Sequence, residues 1–420
     1  MMTEQNVITQ SVGKGRLDWQ PEAPENLTDP YPIYQRMRDE DPCHWSPRLK
    51  SWVLTRYDDV KAVCLDRGQL SSDRLRPFFA SLPGPEVERI SNIIRYLSLW
   101  MVFKDPPDHT RLRRLASKVF HAKSMQGMRP RIQEITDWLL DRLVDREEFD
   151  AVTDFAGPLP CLVIMAMLGV DRADLAKVKR MSDDMALFIG SSRVSAEKYD
   201  TAEAATKEMA DFFRELIEQR KRAPKADLLT ELVQLRDGDD RLSDDETISM
   251  CILLLFAGHE TTTNHIANGL LALMQFPDQM SKLGANPGLA SAAVEELLRF
   301  DGPSGAQVRL VKEAYRVHGK ELEPGQRVFI MLNAANRDPR AYADPDRLDI
   351  ERDGVPHLAF GFGLHICLGF PLARTEGQVA FPSLLKRYRN IEPTTATQPW
   401  INSLVFRGMT HLPVRVKHRA

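Results

Sequence analysis

No C-x-x-C pair occurs in the 420 residues, and the five cysteines (Cys43, Cys64, Cys161, Cys251, Cys367) are scattered and odd in number. Zinc clusters and disulfide frameworks need paired, regularly spaced thiols, so neither organises this chain. Charge imbalance is slight: 56 Lys and Arg against 59 Asp and Glu leave a net −3, with no basic footprint for nucleic acid. The opening MMTEQNVITQ lacks the charged-then-apolar pattern of a secretory signal. The longest apolar runs, CILLLFAG and CLVIMAMLGV, fall short of the ~20 residues a bilayer requires and read as core helices. Internal repeats and low-complexity linkers are missing. A cytoplasmic protein with no membrane or nucleic-acid partner is expected. What is present is ordinary globular composition, 43% hydrophobic and 27% charged, with length enough for a large core.

Residues 1–30 are polar and proline-rich and are expected to form an extended arm. PYPIYQRMRDEDP reads as a short helix, and WVLTRYDDVKAVCLD as a strand turning into a helix. DRLRPFFASLPGPEVER is expected to be a long loop. DHTRLRRLASKVF has helical periodicity, with Asp108 as the cap. MRPRIQEITDWLLDRLVD places Ile132, Ile135, Leu139 and Leu143 on one helical face. The longest candidate helix opens at Ser243-Asp-Asp-Glu246, a capping-box pattern, and ends at Pro277. It is apolar nearly all round, so it should run through the core. LASAAVEELLRF follows as a helix, and YRVHG, RVFIML and LPVRVK read as strands. The expected fold is mainly α with small β-sheets, in a single domain over residues 1–420.

Four stretches carry the chemistry. AGHETT places Gly258, Glu260 and Thr261 in the long apolar helix, where an acid is costly to bury. Either this is a surface-facing polar patch, or the helix is locally distorted there, with Thr261 making a hydrogen bond and Glu260 feeding protons into a buried site. EELLR sets Glu296 and Arg299 at i, i+3, and Arg347 lies in a polar coil downstream. FGFGLHICLG, Phe360 to Gly369, crowds three glycines around Cys367. A thiolate is a strong haem-iron ligand, and glycines such as Gly361, Gly363 and Gly369 would let backbone press against a porphyrin face. Haem also brings two propionates. His109 and Arg113 share a helix face at i, i+4, and Arg309 and His365 are further candidates to hold them. Cys64, Cys161 and Cys251 sit in apolar periodic segments and read as inert core residues.

With these residues in place, the sequence resembles the soluble bacterial cytochrome P450s, haem-thiolate monooxygenases. The likeness runs over nearly the whole chain, through WVLTRYDDVKAV, DPPDHTRLRRLASKVF, FAGHETT, EELLR, ANRDPRAYADPDRLDIER, FGFGLHICLG and FRGMTHLPV. It implies the P450 fold, with haem b between a long central helix and a C-terminal cysteine loop. By resemblance, Cys367 is the axial thiolate and metal ligand, and Glu260 and Thr261 are the acid–alcohol pair that delivers protons. Glu296, Arg299 and Arg347 match a salt-bridge network behind the loop. His109, Arg113, Arg309 and His365 match the propionate set, Phe360 shields the sulfur, and Ala257 and Gly369 complete the cofactor contacts. The implied reaction inserts one oxygen atom of O2 into an apolar or amphipathic small molecule. Electrons from NAD(P)H are expected through a separate ferredoxin or flavodoxin with its reductase, the chain holding no flavin motif. Docking is expected on Arg111, Arg114, Lys118 and Lys123. The protein is expected to be a monomer. Pocket walls are expected from Leu97, Leu99, Trp100 and Met101, from Met185 and Phe188, from Leu254 and Ala257, from Ser304 to Gln307, and from Leu404 and Val405.

Overall fold

A computed structural model describes residues 17–189 and 196–418. Helices dominate it, and the longest is the central helix Asp244–Gln275. Its start is the one expected. The Ser243 hydroxyl accepts from the Glu246 N–H, and the Glu246 carboxylate accepts from the Ser243 N–H. Two otherwise orphaned donors are satisfied in this way. Its end is set by Phe276 and Pro277, where a new helix, Pro277–Ala285, begins. At 32 residues it is about 48 Å long. Among the helices that pack around it are Pro158–Leu168, Ala196–Arg222, Ala290–Phe300 and Phe370–Arg387. This explains its near-uniform apolarity.

One of those neighbours corrects the sequence reading. The run CLVIMAMLGV is prolonged backward by a wide helical turn, Ala151–Ala156, so that residues 151–168 form an 18-residue stretch of mean hydropathy 1.7. By length and composition alone this could cross a membrane. In the fold 78% of it is buried against other elements, so it acts as a core helix.

The main sheet has five strands in the order Cys43–Ser46, Ser51–Leu54, Arg327–Met331, Ala306–Val311, Leu70–Ser71. Only the Ser51–Leu54 to Arg327–Met331 pairing is parallel. A second sheet joins Glu148–Asp150, Pro413–His418 and Tyr388–Pro393, and a hairpin joins Tyr315–Val317 to Lys320–Leu322. The three expected C-terminal strands are therefore present. Cys43–Ser46 and Ala306–Val311 were not foreseen; both are short, and their polar members obscure the alternation.

Other expectations need amendment. The 73–89 region is not one loop but carries two short helices, Leu75–Ala80 and Gly84–Arg89. In the second, Pro85 falls in the first turn, where its missing N–H removes no hydrogen bond. Asp108 is not a cap. It is the first residue of the helix Asp108–Val119, where its charge meets the positive end of the helix dipole. The expected N-terminal arm contains a short helix, Pro24–Thr28, and its first 16 residues lie outside the described ones. Ile132, Ile135 and Leu139 are buried on the helix Arg129–Asp141, while Leu143 is buried just beyond its end.

Candidate active site

The loop 360–369 folds back on itself because the Cys367 N–H donates to the Phe360 carbonyl at 2.9 Å. Gly363 sits at φ +69°, and a Cβ there would lie 2.6 Å from the Cys64 carbonyl oxygen. Its freedom is spent on packing against the protein, and Gly361 likewise abuts the Gln307 side chain. The expectation that these two glycines press on a flat ligand is therefore corrected. Gly369 differs: a Cβ there would meet no atom within 4 Å, and the residue borders a cavity.

That cavity, of about 250 Å³, lies between the loop and the central helix. The helix presents Leu254, Ala257, Gly258, Thr261, Thr262 and His265 to it, a spacing of three and four that defines one helical face. The loop presents Phe360, His365, Cys367 and Gly369. Cys367 is the only cysteine on its wall; the other four are buried elsewhere. Burial pushes the Cys367 thiol up, while the Gly369 N–H, the Arg113 guanidinium, the Phe370 N–H and Arg374 pull it back. Both N–H groups belong to the start of the helix Phe370–Arg387, for which Gly369 is the N-cap. A sulfur at this place is therefore surrounded by groups that favour its anion. The Phe360 ring lies tilted beside that of Phe370, with the Arg374 guanidinium 5.0 Å from the Phe360 ring centre.

Thr261 faces the cavity, and its hydroxyl donates to the Ala257 carbonyl at 2.9 Å. The helix is continuous here, so the expected distortion is replaced by this side-chain bond. Glu260 does not reach the cavity. It points toward the helix Leu175–Ile189, where it is hydrogen-bonded to Asp183. Burial, reinforced by the Asp183 charge, raises its carboxyl to about 7.

At one edge of the cavity the His109 and His365 rings lie 4.2 Å apart. Desolvation lowers His109 to about 4 and His365 to about 3, so both are neutral near pH 7. The His109 Nδ1 is buried without a partner. Arg113 donates to the Ile366 carbonyl at 2.7 Å. Arg309 lines an adjoining cavity of about 160 Å³, which shares Val102, Gln307 and His365 with the first. Arg74 faces the same space and was missed by sequence reasoning, since one arginine in a polar stretch gives no signal. Pairing of Leu70–Ser71 with Leu310–Val311 brings it beside Arg309. Burial and the Arg309 charge lower Arg74 to about 10. Among the described residues neither arginine forms an ion pair; Arg309 donates to Val308 and Gln307, and Arg74 lies over Phe103.

A flat, dianionic iron cofactor fits this donor set. One wall offers a thiol amid N–H donors, and the other a helix face bared by Ala257 and Gly258. Two arginines without counter-ions and a partnerless imidazole nitrogen mark one edge.

Behind the loop, Glu296 and Arg299 pair at 2.7 Å with both side chains buried. The third member is Arg352, whose Nε lies 3.1 Å from Glu296, and not Arg347 as expected. Arg347 contributes its backbone carbonyl, which accepts from Arg299 and Arg352. The expected docking cations are also committed. Arg111 pairs with Glu246 and Asp240, and Arg114 and Lys118 pair with Asp237. Lys123's side chain lies outside the described ones. Of the expected pocket walls, Met101, Leu254, Ala257, Ser304 and Gln307 line the main cavity. Ala306 and Val405 border the adjoining cavity, and Leu404 borders a separate one. Leu97, Trp100 and Met185 are core, Phe188 stacks on Phe79, and Leu99 is not on the cavity wall.

Comparison with known proteins follows the same lines. The cytochrome P450 family model matches residues 42–286 and 288–417. Cytochrome P450 107B1 of Saccharopolyspora erythraea is 37% identical over 91% of this chain and 94% of its own length. Vitamin D(3) 25-hydroxylase of Pseudonocardia autotrophica is 38% identical, covering 93% of this chain and 95% of its own. Among solved structures, P450BioI in complex with hexadec-9Z-enoic acid-ligated acyl carrier protein superposes with a TM-score of 0.85. It is 34% identical and covers 94% of this chain and 99% of its own.

Proposed function

The chain belongs to the cytochrome P450 family, and on that premise we propose that it inserts one oxygen atom of O2 into an apolar or amphipathic small molecule held in the main cavity. The observation that carries this is Cys367, the only thiol on the cavity wall, set among the N–H groups that begin the following helix. Haem b, when bound there, supplies reductive activation of O2 and oxygen transfer to the substrate.

The chain's own residues divide the remaining work. Cys367 would hold the iron as thiolate, and the Gly369 and Phe370 N–H groups would stabilise its charge. Phe360 covers the sulfur and excludes water. His109, Arg113, His365 and Arg309, joined by Arg74, hold the propionates; Ala257 and Gly369 leave room for the ring. Thr261 holds a proton at Oγ1 on the cavity side. Glu260, one residue earlier, carries a proton near neutral pH and faces the exposed Asp183, so it can draw on solvent. Met101, Ile164, Leu253 and Leu254 give the pocket its apolar character, and Ser304 and Gln307 provide its few polar contacts. The enzyme works in the cytoplasm and takes NAD(P)H electrons from a separate ferredoxin or flavodoxin.

The test starts from a library of fatty acids, terpenoids, steroids and macrolides, screened on the haem-loaded protein for the spectral shift that accompanies loss of water from iron. A compound that shifts the spectrum is then turned over with a ferredoxin or flavodoxin, its reductase and NAD(P)H under labelled dioxygen. One labelled oxygen atom per product molecule is expected. Product formed only with added peroxide would replace this reading with a peroxygenase.

A further inference from the structure

On the face of the central helix turned away from the cavity, three side chains form a compact donor cluster. His259 and Glu260 are consecutive on that helix, and Asp183 meets them from the helix Leu175–Ile189. One ring nitrogen of His259 and one oxygen from each acid all lie within 4.8 Å of one another. His259 is 2% exposed, and its Nδ1 has no hydrogen-bond partner. That nitrogen stands 3.6 Å from the Glu260 Oε1. A buried imidazole nitrogen with nothing to bond, beside the Glu260 carboxyl and within the same small cluster as Asp183, is an unsatisfied ligand.

The Asp183 and Glu260 carboxyl groups lie close together, a placement that two like charges disfavour without a counter-charge between them. A cation supplies that counter-charge. One nitrogen and two carboxylate oxygens suit a borderline divalent ion such as Zn²⁺, with water completing a tetrahedron. Bonds of about 2.0–2.2 Å would place the donors roughly 3.5 Å apart, a contraction of about 1 Å that side-chain torsions can supply. Asp183 is exposed, which gives the ion a route in from solvent. Lys179, one turn earlier, donates to Asp183 at 2.6 Å and occupies the cation's place electrostatically.

We propose that Asp183, His259 and Glu260 form a divalent-cation site, best matched to Zn²⁺, that staples the helix Leu175–Ile189 to the central helix. Binding displaces the Lys179 ammonium from Asp183. The consequence for turnover rests on the proton-carrying role given to Glu260 above; the site itself does not.

Isothermal titration of the haem-loaded protein with ZnCl2, in a non-chelating buffer near pH 7, tests this. One site is expected. Asp183→Asn, at an exposed position, should weaken it at least about tenfold, as should His259→Asn. Lys179→Ala should tighten it several-fold by removing the competing charge. Absence of binding, or affinity unchanged in both Asp183→Asn and Lys179→Ala, would overturn the site. A second readout separates it from the role of Glu260. Saturating Zn²⁺ should lower product formed per NAD(P)H in the wild type and spare Asp183→Asn. Zn²⁺ that binds as described yet leaves this ratio intact would uphold the site and remove Glu260 from proton delivery.

Discussion

At the scale of single residues, the proposed proton handling divides between two neighbours with different surroundings. Thr261 stands on the cavity wall and Glu260 faces the other way. Thr261→Ala should let NAD(P)H be consumed while product per NAD(P)H falls roughly tenfold or more, a loss within what positioned proton donors contribute. Peroxide should rise in parallel, and unchanged coupling would remove Thr261 from the pathway. Glu260 makes a separate prediction about stability. Its folded carboxyl, at about 7, lies above the ordinary 4.5. The folded state therefore holds a proton that the unfolded chain releases. That contribution is complete below about pH 4.5 and is lost as pH rises through 7. Glu260→Gln stays neutral throughout. Denaturant melts should show the wild type losing on the order of 1–3 kcal/mol relative to this variant between about pH 4.5 and pH 8. Parallel curves for the two proteins would mean that Glu260 is ionised across the range.

At the scale of elements, the buried network behind the loop ties the helix Ala290–Phe300 to the coil before Phe360. Arg299 satisfies the carbonyls of Asn336, Pro345 and Arg347 as well as Glu296. Removing it leaves Glu296 buried and less neutralised, so Arg299→Ala should cost about 3–5 kcal/mol in chemical denaturation. Arg352→Ala should be clearly destabilising as well. Arg347→Ala should cost under ~1 kcal/mol, because that residue acts through its backbone. A larger loss for Arg347 than for Arg352 would reverse the assignment. The same network shows what could be read in advance. Glu296 and Arg299 share one helix at fixed spacing, so they were legible. The choice between Arg347 and Arg352 depends on how an irregular coil turns, which no periodicity encodes. The central helix was legible at both ends, because its capping box and terminal proline are local signals. Arg74 was not, since only strand pairing across more than two hundred residues brings it to Arg309. The two glycines at 361 and 363 misled, because a crowded glycine loop looks the same whether it packs on protein or on a ligand.

At the scale of the whole molecule, the internal pairing of Arg111, Arg114 and Lys118 changes where an electron donor can dock. These cations already hold the acidic turn at Asp237 and Asp240 against the helix Asp108–Val119. Charge reversal at Arg114 and Lys118 should therefore leave the rate of haem reduction by the partner, and its salt dependence, nearly unchanged. A steep loss would return the docking surface to this face. The oxygenation reading depends on the Cys367 sulfur meeting iron. The most direct measurement is the absorption spectrum of the haem-loaded, reduced protein under carbon monoxide. The wild type should absorb far to the red of a histidine-ligated haem, and Cys367→Ala should lose that band. A wild-type spectrum of the histidine-ligated kind, or a band that survives in Cys367→Ala, would contradict the account.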